Sequence, residues 1–262
     1  MSVAPPARRL AGALGLLAAL SAGALSACAA PAYQPDPVWR QRVETLVDVW
    51  PDATYAVFAD GEEVGTMTLS QGVERVRGEP LLLLEDAARI TPADADEPLD
   101  YTFAVRCRLD EQFTPLDIES QAPSPDGPTF SRLELDDGRV YGTAFGAQVN
   151  LPTPPQVTVR QGLMRLVGLL PREEGSETEL AFLSVGVPTR VDAPRVVRCV
   201  GPDSLALDGE AVPCWRFVYD SGADGATHPV EIWVGPDGRL LRFHDEEGLQ
   251  LVIRQSSGAD GF

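Results

Sequence analysis

The chain has 262 residues, of which 44% are hydrophobic, and this is enough for a sizeable core. Every basic residue is arginine, and 21 basic side chains stand against 39 acidic ones, for a net charge of −18. This balance argues against binding to nucleic acid and against docking to anionic lipid headgroups, because both need basic patches. We therefore expect no nucleic-acid partner, and we expect the acidic surface mainly to favour solubility.

The first 27 residues have the pattern of an export signal. Arg8 and Arg9 form a positive region, Leu10–Ala24 is an apolar region, and Leu25-Ser26-Ala27-Cys28 follows. This ending resembles the lipobox of bacterial lipoproteins. The resemblance implies cleavage before Cys28 and diacylation of its thiol, with a further acyl chain, such as palmitate, on the new amino terminus.

Lipidation would make the protein a membrane-anchored protein of the bacterial cell envelope. Two or three acyl chains hold a protein on a membrane where one chain is marginal. Ala29 follows the cysteine in place of the aspartate that retains lipoproteins on the inner membrane, so we expect the outer membrane, facing the periplasm. Residues 28–35 form a lipidated tether, because their prolines disfavour helix.

A helix is predicted from Asp36-Pro37 to Trp50, with aspartate as its cap and proline at its first position. Strand patterns then follow one another, and the pairs Asp60-Gly61 and Asp137-Gly138 are hairpin signals. No break in composition divides the chain, so residues 36–255 are predicted to be a single β-rich domain, followed by a tail over 256–262. The predicted strands of the first half are Tyr55–Ala59, Val64–Leu69, Leu81–Leu84, Tyr101–Leu109, Leu116–Gln121, Arg132–Leu135 and Arg139–Val149.

The segment Gly162–Leu170 carries apolar residues around the whole circumference of a helix, with Arg165 as the one charge. Such a helix must be buried on most sides, and it is too short for a bilayer, which takes about 20 residues. We therefore predict a mainly β fold in which a curved antiparallel sheet, an unclosed barrel, wraps around this helix. Arg165 is expected to point out through the open side of the sheet or to pair with an acid at its rim.

Three cysteines follow Cys28 along the chain. Cys199 and Cys214 lie on neighbouring predicted strands that a Gly/Pro/Asp-rich loop joins, so we predict a disulfide between them. A bridge that closes a loop of this size would stabilise the fold by about 3 kcal/mol in the chain-entropy model. Cys107 is then expected to be a buried free thiol.

The C-terminal strands around the Gly235–Gly238 turn allow a prediction of register. Ile232 is expected opposite Leu241, and Phe243 opposite Leu249 across the next turn. This register places the apolar side chains of all three strands on one face, which a displacement by one residue would not do.

Few residues of the sequence point to catalysis. His228 and His244 are the two histidines, and both are expected at the surface. The sequence has no Gly-x-Ser-x-Gly elbow, no His-Glu-x-x-His pair and no phosphate-binding glycine loop. The alternating aromatics Trp215, Phe217 and Tyr219 are predicted to be core residues. We therefore predict that the protein is not an enzyme and holds neither metal nor cofactor.

The lipobox, the long meander and the apolar helix between two strand groups together resemble the LolA/LolB superfamily and allied envelope families of unknown function. The resemblance covers roughly Ala53–Arg254 and implies a half-open barrel, in which carriers use internal helices to form an apolar cavity for acyl chains. Two functions stay open: a structural or partner-binding envelope lipoprotein, which is the main prediction, and a binder or carrier of a hydrophobic ligand such as a lipid. In a binder, the helix residues expected against the ligand are Leu163, Met164, Leu166, Val167 and Leu170.

Overall fold

The computed structural model describes residues 36–49, 52–91, 97–124, 127–220, 229–245 and 248–254. The predicted export signal, Cys28 and its tether, and the C-terminal tail lie outside the described residues. His228 lies outside them as well.

The described part of the chain forms two helices and one antiparallel sheet of fourteen strands. In chain order the elements are α1 (Pro37–Val49), β1 (Asp52–Ala59), β2 (Glu62–Val76), β3 (Glu79–Ile90), β4 (Leu99–Arg108), β5 (Pro115–Ala122), β6 (Thr129–Asp136), β7 (Arg139–Ala144), β8 (Ala147–Pro152), α2 (Arg160–Leu166), β9 (Glu177–Ser184), β10 (Arg190–Leu207), β11 (Glu210–Tyr219), β12 (Val230–Val234), β13 (Leu240–His244) and β14 (Gln250–Ile253). The sheet runs from β8 through β1 to β14 and on to β9, and it does not close into a barrel. The predicted fold class is confirmed.

Tight turns with left-handed residues set the hairpins. The predicted turns at Asp60-Gly61 and Asp137-Gly138 are present, with positive φ at both residues of each pair. Arg77-Gly78 and Phe145-Gly146 adopt the same geometry without an Asn or Asp at the first position. The second of these divides the predicted strand Arg139–Val149 into β7 and β8, so that prediction is wrong in its extent.

The C-terminal register differs by two residues from the predicted one. Ile232 lies opposite Phe243 rather than Leu241, and Phe243 lies opposite Leu251 rather than Leu249. An irregularity in the ladder between β12 and β13 accompanies the change. Because the difference is two residues, the side chains keep their predicted faces although their partners change.

α1 packs against the core through Val43 and Leu46. The carboxylate of Asp36 accepts a hydrogen bond from Val38 N at 2.9 Å, which confirms the predicted cap. Trp39 Nε1 donates to Asp110 O at 3.1 Å, and Arg42 Nη2 donates to Leu169 O at 2.5 Å, just after α2. No helix in the described ranges combines the length and apolar composition of a bilayer crossing.

The apolar helix is buried, as predicted, but it is shorter. α2 ends at Leu166, and turns continue the chain, while residues 162–170 are all buried. An ideal Cβ on Gly168 would lie 2.3 Å from Gly238 O, so the chain after α2 approaches the turn between β12 and β13 too closely for any side chain at this position.

The segment before α2 covers one edge of the sheet. Thr158 pairs in parallel with Phe182 of β9: Thr158 N donates to Ala181 O, and Leu183 N donates to Thr158 O, each at 2.8 Å. The opposite edge is β8, which is only six residues long and ends in Pro152. The pairing on β9 fixes where α2 begins.

Candidate functional site

A cavity of about 820 Å³ lies on the inner face of the sheet, beside the start of α2. Strands β2–β5 contribute one wall, β9 and β10 contribute the other, and Val159–Gln161 border it at the start of the helix. Its volume is within the range of about 300–1,000 Å³ that is usual for small-molecule sites. We refer to this space as the open cavity.

Aromatic side chains give the open cavity much of its lining. Phe182 and Tyr219 stack with their ring centroids 5.4 Å apart and their planes inclined by 13°. Rings of this kind offer large apolar surfaces at little cost in side-chain entropy. The aromatic lining residues are Tyr101, Phe103, Phe145, Phe182 and Tyr219.

Asp86 lies at the boundary between the packed core and the open cavity. Its Oδ1 accepts a hydrogen bond from Arg165 Nη2 at 2.6 Å, and its Oδ2 is buried without a hydrogen-bond partner. Across the sheet, Phe103 and then Ser120 occupy the same row of the inner face, and Ser120 Oγ is also buried without a partner. Burial raises the pKa of Asp86 above its ordinary value, while the Arg165 guanidinium acts in the opposite direction.

Arg165 does not point out through the open side of the sheet, and its partner is not an acid at the rim. Its side chain is 1% exposed, and that of Asp86 is 3% exposed, in the middle of β3. The guanidinium also donates to Gln161 O at 3.2 Å and to Ser70 O at 3.3 Å. The ion pair therefore ties α2 to β2 and β3 from inside the core, which corrects the prediction.

Three arginines line the open cavity, and two of them have carboxylate partners. Arg190 Nε donates to Asp192 Oδ1 at 2.7 Å, and Arg160 Nη1 lies 3.5 Å from Asp245 Oδ2. Arg195 is different: it is partly exposed, its Nε has no hydrogen-bond partner, and it forms no ion pair with a residue that the structure describes. The cavity wall thus holds one guanidinium whose charge no described acid balances.

The helix residues that the sequence suggested for ligand contact lie elsewhere. None of them borders the open cavity, because they follow the first turn of α2 and pack in the core. They are at most 7% exposed, and they are Leu163, Met164, Leu166, Val167 and Leu170. Of the three aromatics predicted to be core residues, Phe217 lies in the core and Trp215 is partly buried against it, while Tyr219 is packed and also borders the cavity.

The predicted disulfide is not formed, and the three described cysteines are free thiols. β10 and β11 do pair, but Cys199 lies opposite Phe217 and Cys214 lies opposite Asp203. Three positions separate Cys214 from Phe217 on β11, so the two cysteines face opposite sides of the sheet. The expected loop between them is mostly strand, since the turn comes only after Leu207.

Cys107 is a buried free thiol, as predicted. Burial raises its pKa well above the ordinary value, so the thiol stays protonated at neutral pH.

The described residues define a mainly β protein whose antiparallel sheet does not close into a barrel. No family model matches the sequence, and no curated protein matches it. Among solved structures, the chain is similar to a β-barrel-like protein of the domain of unknown function DUF1849 from Brucella abortus, with 11% identity and a TM-score of 0.48, over 78% of this chain and 98% of that chain. It is also similar to a DUF1089 family protein from Pseudomonas aeruginosa, with 13% identity and a TM-score of 0.38, over 66% of this chain and 87% of that one. Function is therefore argued from the geometry of the open cavity and not from these likenesses.

Proposed function

We propose that this protein binds a small amphiphilic molecule in the open cavity, and that its role is binding rather than catalysis. The supporting observation is a cavity of about 820 Å³ in which aromatic rings and arginines border the same space. Small-molecule sites are mostly apolar, with a few polar groups that orient the ligand. Of the two functions that the sequence leaves open, this geometry favours the binder of a hydrophobic ligand over a structural protein with a filled core.

Binding in the open cavity needs no movement of α2. Leu163 and Leu166 pack in the core with 0% exposure, and the Arg165–Asp86 pair holds the helix against β3. The ligand's apolar part would instead lie against the stacked rings of Phe182 and Tyr219, where each Å² of apolar surface removed from water contributes about 25 cal/mol.

Placing a bulky side chain in the open cavity should weaken binding. Ala88 borders the cavity on β3, whereas its neighbour Ala87 is exposed, does not border the cavity, and lies on the other face of the strand by the alternation of side chains. We expect Ala88→Trp to weaken binding of dodecanoic acid at least about tenfold, which is about 1.4 kcal/mol. The measurement is displacement of the fluorescent probe 1-anilinonaphthalene-8-sulfonate at fixed protein concentration.

Ala87→Trp is the matched control, since the same bulk is added on the opposite face of the same strand. It should leave the affinity for dodecanoic acid unchanged. Equal affinities for the wild type and both variants would place the ligand outside the open cavity and contradict the proposed function.

We also propose that the protein is exported and anchored to a membrane through Cys28, with the open cavity in the periplasm. Support comes from the sequence Leu25-Ser26-Ala27-Cys28 and the apolar region before it. Cys28→Ser should release the protein from the membrane fraction or leave the unprocessed precursor, because no acyl chain can be attached to the hydroxyl by this route. Intact mass spectrometry of the detergent extract measures both outcomes.

Ala30→Ser is the control, because it leaves the lipobox residues intact and should change neither processing nor fractionation. An unmodified Cys28 in the mature wild-type protein, or cleavage at another bond, would disprove the anchor.

A further inference from the structure

The inner face of β10 carries an irregularity at the open cavity. Asp192 lies opposite Phe182 of β9, and Arg195 lies opposite Leu180 two residues away on the same face. Asp192 and Arg195 are three positions apart, so in a regular strand they would face opposite sides. The register shift between them brings both side chains to the inner face, and bulges of this kind re-aim side chains next to functional sites.

The three arginines that border the open cavity differ in whether an acidic side chain pairs with them. Arg190 is engaged by Asp192, and Arg160 by Asp245, while Arg195 has no such partner among the described residues. A guanidinium on a partly apolar wall pairs best with a planar anion that can accept two hydrogen bonds, and a carboxylate has that geometry. From this we infer that the ligand is an amphiphile with a single carboxylate, which binds Arg195 while its apolar part lies against Phe182 and Tyr219.

One negative charge fits this wall better than two. Asp192, on the same face of β10, and Asp86, on the opposite wall, would both repel a second negative charge. Arg190 already pairs with Asp192, and Arg165 already pairs with Asp86, so neither arginine is free to balance that charge. A dianionic phosphate monoester is therefore disfavoured. The inference rests on the proposed function, since it assigns the chemical class of the ligand in the open cavity.

The test uses three probes with the same alkyl chain: dodecanoic acid, dodecan-1-ol and dodecyl phosphate, titrated calorimetrically into the full-length protein. We expect the wild type to bind the acid at least about tenfold more tightly than the alcohol, as one charge-assisted hydrogen bond allows. Arg195→Met should remove this preference, because the acid loses its cationic partner. Arg195→Lys should restore part of it, because lysine keeps the charge but lacks the forked donor.

Arg198→Met is the matched control, since Arg198 lies three residues further along β10 and is exposed. It should retain the full preference for the acid. If acid and alcohol bind equally to the wild type, if Arg195→Met keeps the preference, or if the phosphate binds more tightly than the acid, the assignment of the ligand class is wrong while the cavity remains a binding site. If none of the three probes binds, the proposed function itself fails.

Discussion

Replacing Arg165 with methionine should lower the free energy of unfolding by about 3–5 kcal/mol, the usual cost of removing one partner of a buried ion pair. The substitution leaves the Asp86 carboxylate buried, with its cation gone, in the middle of β3. The carbonyls of Ser70 and Gln161 lose a donor at the same time. Urea unfolding followed by circular dichroism measures the change.

The double variant Arg165→Met/Asp86→Leu shows how much of the lost stability comes from leaving the Asp86 carboxylate buried without its cation. With both charges removed, no uncompensated ion is left in the core, so the double variant should recover most of the stability lost in the single one. A single variant within about 1 kcal/mol of the wild type would show that the pair is not buried as described.

Leu166→Ala is expected to cost about 2–5 kcal/mol, as large-to-small changes in a packed core do. Leu166 is 0% exposed and lies at the end of α2, so the smaller side chain leaves a cavity in the core. The variant should keep its affinity for dodecanoic acid, because Leu166 does not border the open cavity. Thermal or urea unfolding with a parallel binding titration measures both quantities.

Val187→Ala is the comparison for this core substitution. Val187 is 70% exposed, so its truncation should change stability by less than about 0.5 kcal/mol. A Leu166→Ala variant as stable as Val187→Ala would mean that α2 is loosely packed and would contradict the buried position.

The sequence predicted hairpin turns correctly where both turn residues are of types that readily adopt positive φ. Asp60-Gly61 and Asp137-Gly138 carry the residues that accept positive φ, and both turns were located correctly. Phe145-Gly146 was missed, because a phenylalanine in the left-handed region has no local signal of its own. The surrounding strands fix that turn instead.

Side-chain faces were easier to predict than partners. The C-terminal strands kept their predicted faces although their register differed by two residues, since both registers bury the same alternating side chains. The disulfide prediction used only the adjacency of two strands, which does not say which face of the sheet each thiol occupies. Cys199 precedes an irregularity in β10, and its side chain lies on the face opposite to that of Cys214.

The open cavity could not be read from the sequence because it is made of distant segments. Asp86 and Arg165 are 79 residues apart, and nothing near either residue specifies the other. Arg195 faces inward only because β10 is irregular beside it. The apolar segment Gly162–Leu170 was correctly predicted to be buried, but its residues lie so deep in the core that none of them borders the open cavity. The lipid anchor at Cys28 stays a prediction of the sequence.

The pairing of β1 with β14 has a consequence for how the protein folds. Every other ladder in the described sheet joins strands that follow each other along the chain, so those hairpins can form locally and early. The β1–β14 ladder brings Tyr55 opposite Ile253 and must close a loop of almost the whole domain, and the entropy cost of closing a loop rises, although slowly, with its length. We therefore expect this ladder, in the interior of the sheet, to form last. β14 is also the last of the described strands along the chain, so during synthesis the edge of β1 has no partner until β14 has emerged.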